Sequence, residues 1–232
     1  MQYLLKDSQL GTLRISVNPR ARRIIMRATA DGLRITVPPG TSHTTLIDTL
    51  NAHTEELKAM QQRQVNQKHP IDFNYQIHTD LLQLRLVPSN RAAFYLNRHI
   101  GQCEIVCPAT TDFAARQSWL HDIIVEQLRI QAKAILPPRL KALAEKHGFQ
   151  YERVSIQSSQ TRWGSCSGRN TINLSLYLMT LPSRLIDYVL LHELCHTVHH
   201  DHSPQFWALM DRETDGQAHT LRNELKGHQT EI

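Results

Sequence analysis

The chain has 232 residues, 41% of them hydrophobic and 20% charged, with a formal net charge of +5. This is the composition of a globular protein with a real core, and it excludes collagenous, disordered and repeat architectures. No run reaches the roughly 20 apolar residues that span a bilayer, and Lys6 and Asp7 come too early for a signal peptide, so we expect no membrane association and a cytoplasmic location.

Taken in chain order, Leu13, Ile15 and Val17 alternate with polar neighbours, as a half-buried strand does. Arg22 to Ala30 forms a second run, Asp31-Gly32 signals a hairpin turn, and Leu33 to Val37 alternates again before Pro38-Pro39-Gly40 stops it. Thr41 or Ser42 then caps one helix reaching about Gln64, and a polar connector runs from Gln61 to Ile71. Further strands fall between Asp80 and Pro108.

A long helix is expected from about Thr111, broken or kinked at Pro137-Pro138, with a shorter helix ending at His147-Gly148. Val154 to Gln157 and Thr171 to Met179 read as strands around a turn-containing segment, Thr161 to Gly168. Pro182 opens a helix that runs through His196, and two more helical stretches begin near Ser203 and Gln217. The fold class is therefore α+β. A small N-terminal β-rich region with one helix (1–108) precedes a second domain (109–232).

The four cysteines, Cys103, Cys107, Cys166 and Cys195, lack the second pair that a zinc ribbon needs. They read as reduced, mostly buried thiols.

The chemistry concentrates at His192-Glu193-Leu194-Cys195-His196. Residues four apart share one helix face, so His192 and His196 can converge on one ion at about 2.0–2.1 Å. Glu193 sits beside the first ligand, where it can take a proton from an activated water. This is the zincin pattern His-Glu-x-x-His. The strongly apolar Leu185, Ile186, Tyr188, Val189, Leu190 and Leu191 before it belong in a core, and packing alone does not explain a core helix that ends in two histidines and a glutamate. Cys195 points to another face and is core.

A catalytic zinc takes three protein ligands. His202 has the metzincin spacing, although His199 stands at the metzincin glycine position. His199 is the second candidate and Glu213, on the following helix, the third, while His200 reads as solvated.

Arg162-Trp163-Gly164-Ser165-Cys166-Ser167, the strand to Leu178, His192 to His196, and His202-Ser203-Pro204-Gln205-Phe206-Trp207 together resemble the YgjP-like metallopeptidases, relatives of the SprT and WLM families. Arg22-Arg23 and Val37-Pro38-Pro39 fit the same family. The resemblance implies a zincin-like C-terminal domain, a bound zinc ion and His202 as third ligand. The segment Asn173 to Met179 is then expected to be an edge strand that holds an extended peptide.

The leading expectation is a zinc metallopeptidase acting on peptide or protein substrates, with Glu193 as general base. One rival keeps the metal and hydrolyses a nucleotide pyrophosphate or phosphoester. The other is a binding module for nucleic acid or protein, resting on Arg14, Arg20, Arg22, Arg23, Arg27 and Arg34. Weak nucleic-acid association through these basic strands is compatible with the first expectation.

Overall fold

The computed structural model describes residues 2–29, 32–67, 70–230 and 232. It is mixed α+β, with three sheets and six α-helices among those residues. The chain folds as two compact units, Met1–His69 and Pro70–Ile232.

In the first unit, β1 (Gln2–Asp7), β2 (Gly11–Val17), β3 (Ile25–Thr29) and β4 (Gly32–Val37) form a sheet in the order β1-β2-β4-β3. The alternation seen in the sequence is what the sheet uses. Leu13, Ile15, Leu33, Ile35 and Val37 are buried on one face, together with Leu46, Leu50 and Leu57. Arg14, Arg34 and Arg27 stand in register in one row on the exposed face. Of the expected hairpin turn, Asp31 lies outside the described residues.

The single expected helix is two, α1 (His43–Ala52) and α2 (Thr54–Gln67). Ser42 caps α1 by accepting the Thr45 N–H at 3.0 Å. The interruption is one residue, His53, whose backbone leaves the helical region while its carbonyl still accepts from Leu57.

The second unit contains β5 (Gln76–His78), β6 (Gln83–Ser89), β7 (Tyr95–His99) and β8 (Gln102–Pro108), ordered β5-β6-β8-β7. The sequence grouped these strands with the N-terminal region. Here Leu84, Leu86, Cys103, Ile105 and Cys107 share one core with the helix α3 (Gln117–His147).

Along α3 the buried apolar positions are Leu120, Ile124, Leu128, Ala132, Leu136, Leu140 and Ala144, each four residues after the last, with Gln127 and Gln131 buried beside them. A four-residue step drifts about 40° per interval at 3.6 residues per turn, so the stripe winds around the helix. Its first half answers the β7–β8 turn. Gln131 accepts the Gly101 N–H at 2.8 Å and donates to the His99 carbonyl at 2.8 Å. From its second half, Arg139 pairs with Asp187 and His147 with Glu213, both on later elements. The expected break at Pro137-Pro138 does not occur, and α3 is continuous across both prolines. The carbonyls they leave without donors belong to Lys133 and Ala134, which are exposed, so water can satisfy them.

A third sheet, in the order β10-β11-β9, is made of β9 (Arg153–Gln157), β10 (Gly164–Cys166) and β11 (Thr171–Ser175). The strand expected to reach Met179 stops at Ser175, whose hydroxyl accepts the Tyr177 N–H and starts a 3₁₀ turn over Leu176–Thr180. Nor is that strand an edge. It pairs antiparallel with β10 and parallel with β9, which makes β10 an edge.

The helices α4 (Ser183–Cys195), α5 (Pro204–Glu213) and α6 (Ala218–Leu225) complete the unit. Arg139 of α3 donates to Asp187 of α4, and Arg184 of α4 donates to Glu224 of α6. Cys103, Cys107 and Cys195 are buried and all four thiols are free. Among the described residues no helix is long and apolar enough to cross a membrane.

Candidate metal centre

Helix α4 buries nine residues, among them Leu185, Ile186, Val189, Leu190 and Leu191, and so carries its last turn into the core. His192 and Glu193 lie in that turn and His196 caps it. The chain then turns back. Thr197 Oγ1 donates to the Leu194 carbonyl at 2.7 Å, Asp201 Oδ1 accepts the Ser203 N–H at 3.2 Å, and Ser203 caps α5 with Pro204 in its first turn. His202 is thereby held immediately before α5.

His192 Nε2 lies 3.2 Å from His196 Nε2 and 3.2 Å from His202 Nε2. Two nitrogens bound tetrahedrally to one zinc at 2.0–2.1 Å would stand roughly 3.3–3.4 Å apart, so the cluster has the right spacing for such an ion. His196 Nδ1 lies 2.9 Å from the His199 carbonyl. A carbonyl only accepts, so the proton is on Nδ1 and the Nε2 lone pair faces the cluster. Phe206 lies beneath all three rings, 5.0 Å from His192, 4.4 Å and stacked on His196, and 4.9 Å from His202.

The other candidates are placed elsewhere. His199 serves through its carbonyl, and His200 is exposed. Glu213 receives His147 Nδ1 at 2.6 Å and Arg212 at 2.6 Å. Burial alone would raise its carboxyl, but those two bonds hold it below the usual range. Tyr188 and Cys195 are buried, as expected. Asp211 Oδ1 accepts the Ala218 N–H at 3.3 Å.

Glu193 is only 4% exposed, and its Oε2 is buried without a hydrogen-bond partner, as is His192 Nδ1. With no ion beside it, burial pushes the Glu193 carboxyl up to about 8, with the Arg162 charge opposing. Burial, then the charges of His196, His202 and Arg222, push His192 down to about 3. Within the segment read as turn-containing, Gly164 approaches this carboxylate. A Cβ on Gly164 would fall 2.6 Å from Glu193 Oε1. Phe206 and Gly164 were not marked as site residues by the sequence. Both lie inside the motifs that carry the family resemblance, which gave them no individual role.

These shifts set the pH dependence of the metal-free protein. Glu193 keeps a proton in the fold that the unfolded chain loses above about 4.5, so its contribution to stability falls as pH rises from there to about 8. His192 stays neutral while the unfolded chain gains a proton below about 6.5, so its contribution falls as pH drops from there to about 3. Between about 4.5 and 6.5 these two slopes oppose each other, and His196, which burial also lowers, tilts the balance toward the upper end of that window. We therefore expect the melting temperature of chelator-stripped protein to be highest in that window and to decline toward pH 8. A melting temperature that rises steadily to pH 8 would contradict the assignment.

Residues 22–228 match the family model described as YgjP-like, metallopeptidase domain. No curated protein matches the chain. Among solved structures, the metallopeptidase zymogen of Pyrococcus abyssi abylysin aligns with TM-score 0.37 and 22% identity, covering 40% of this chain and 93% of that one. That likeness is too slight to bear on the fold.

Proposed function

The chain belongs to the YgjP-like metallopeptidase family, and from that membership we propose that it hydrolyses peptide bonds with a zinc ion held by His192, His196 and His202 and with Glu193 as general base. In this reading residues 109–232 hold a zincin-like catalytic region, and α4 is its active-site helix with the His-Glu-x-x-His pattern. The family implies a metal and peptide or protein substrates, which favours this reading over phosphoester hydrolysis. No comparison supports nucleic-acid association.

One observation carries the proposal. His192 Nε2 lies 3.2 Å from the Nε2 atoms of both His196 and His202, while the neighbouring Glu193 keeps a buried, unpartnered Oε2. When bound, zinc supplies Lewis acidity, bringing a coordinated water to a pKa of about 7. Glu193 receives the proton of the attacking water at Oε2. As a carboxylate beside the bound cation, Glu193 would take up this proton and then pass it to the departing amine. The His199 carbonyl keeps His196 in the tautomer that presents Nε2. As an edge strand, β10 offers backbone N–H and C=O groups on which an extended peptide can lie.

Zinc stoichiometry and affinity, read by mass spectrometry and competition with a chelator, test the ligand set. His202→Ala should weaken zinc by more than about 100-fold, beyond the loss of a hydrogen-bond partner to a ligand. His200→Ala should bind as wild type. Unchanged stoichiometry and affinity in His202→Ala would reject His202 as a ligand.

A further inference from the structure

Several arginines of this unit already have carboxylate partners: Arg139 pairs with Asp187, Arg184 with Glu224 and Arg212 with Glu213. Two exposed arginines near the centre, Arg162 and Arg222, have no ion pair among the described residues.

Arg222 is held in place by aromatic stacking. Its guanidinium carbon lies 4.8 Å from the centroid of Trp207. Trp207 stacks on His202 at 6.0 Å and 28°, and its ring is 6.4 Å from His192. His219, three residues before Arg222 on α6, stacks on the same indole at 5.0 Å and 22°. The indole thus contacts both the cation and two of the three clustered imidazoles, and the Arg222 charge acts on both His192 and Tyr188. The Arg184–Glu224 pair fixes α6 to α4, so Arg222 does not depend on a loose loop for its position.

Arg162 comes in along the segment that leads to β10. It is two residues before Gly164, the residue in contact with Glu193, and its charge acts on that carboxylate. Glu193 itself is 4% exposed and makes no ion pair with either arginine among the described residues. Asp211, whose charge also reaches Tyr188, has its Oδ1 engaged by the Ala218 N–H.

We propose that Arg222 and Arg162 are substrate-recognition residues that bind a free carboxylate of the peptide close to its scissile bond. This rests on the peptidase reading of the same site and narrows its substrates. A peptide backbone offers carbonyl acceptors but no charge to answer two unpaired guanidinium groups. A C-terminal carboxylate or an Asp or Glu side chain supplies the complementary charge, and the planar guanidinium fork matches it with two hydrogen bonds. Stacking on Trp207 holds Arg222 in advance and lowers the entropy lost on binding.

The test is binding to zinc-loaded Glu193→Gln protein, followed by calorimetry and independent of turnover. Three ligands are compared: tetra-alanine with a free carboxylate, its C-terminal amide, and an amidated tetrapeptide with one internal aspartate. Either carboxylate form should bind about tenfold or more tighter than the neutral amide, and which one does identifies the source of the charge. Adding Arg222→Gln or Arg162→Gln should remove the preference, while Arg222→Lys keeps part of it. In otherwise wild-type enzyme Arg222→Gln should raise KM with little change in kcat, and added salt should erode the preference. Equal binding of all three peptides, or a preference that survives both glutamine variants, overturns the proposal, as does binding of a nucleotide but of no peptide. The peptidase reading fails separately, if wild-type zinc protein cleaves no peptide at all.

Discussion

Glu193→Gln is expected to keep zinc and lose turnover, with kcat falling by about 10³-fold or more, in the upper range for loss of a positioned general base. The amide has the shape of the carboxylate but cannot receive a proton at Oε2. Because Glu193 is buried and the metal-free fold already holds its carboxyl uncharged up to about 8, the neutral amide should not unfold the protein. It should flatten the decline in stability of the metal-free form between pH 6.5 and 8, since the group that titrates there is gone. Activity assays, zinc content and melting curves are read on one preparation. Full activity in a zinc-loaded variant would remove Glu193 from the chemistry. An unchanged pH slope would instead say that its carboxyl is not the group that titrates.

Much of this centre is written in local sequence. The apolar run from Leu185 to Leu191 followed by two histidines four residues apart specifies a buried helix with its chemistry in the last turn, which is how α4 sits. Ser203-Pro204 announces the start of α5 and so fixes where His202 must be. What the sequence hid depends on pairing between distant segments. The alternation from Thr171 continues to Met179, but consecutive burial of Leu176, Tyr177, Leu178 and Met179 makes a compact turn and not a two-faced strand. Strand order is likewise non-local. β11 is flanked on both sides because β9 returns parallel to it, and nothing in its own residues distinguishes a central strand from an edge. At β1, Leu4 is 66% exposed, so Tyr3, Leu4 and Leu5 give no alternation to read. Phe206, Trp207 and Arg222 reach the centre only because α5 and α6 fold against α4.

Gly164→Ala tests whether that non-local packing positions the chemistry. The added methyl would meet Glu193 at 2.6 Å from Oε1, 2.7 Å from Cγ and 2.8 Å from Cδ. Real Cβ atoms do not approach so closely, and the carboxylate is buried at the end of a core helix with little room to withdraw. Either β10 moves away or Glu193 turns from its position. A displacement of about 1 Å at a reacting group costs on the order of 100-fold in rate, and overpacking a filled site costs about 1–3 kcal/mol of stability. The expected result is therefore a kcat at least about 100-fold below wild type, with the protein folded and zinc still bound, because the three atoms nearest the added methyl all belong to Glu193. Gly168→Ala is the matched control, since nothing lies within 4 Å of a Cβ at that position. The same methyl four residues along should leave kcat and melting temperature near wild type. If the two variants behave alike, close contact between β10 and Glu193 is not what holds the base in place, and the orientation of its carboxylate must come from α4 alone.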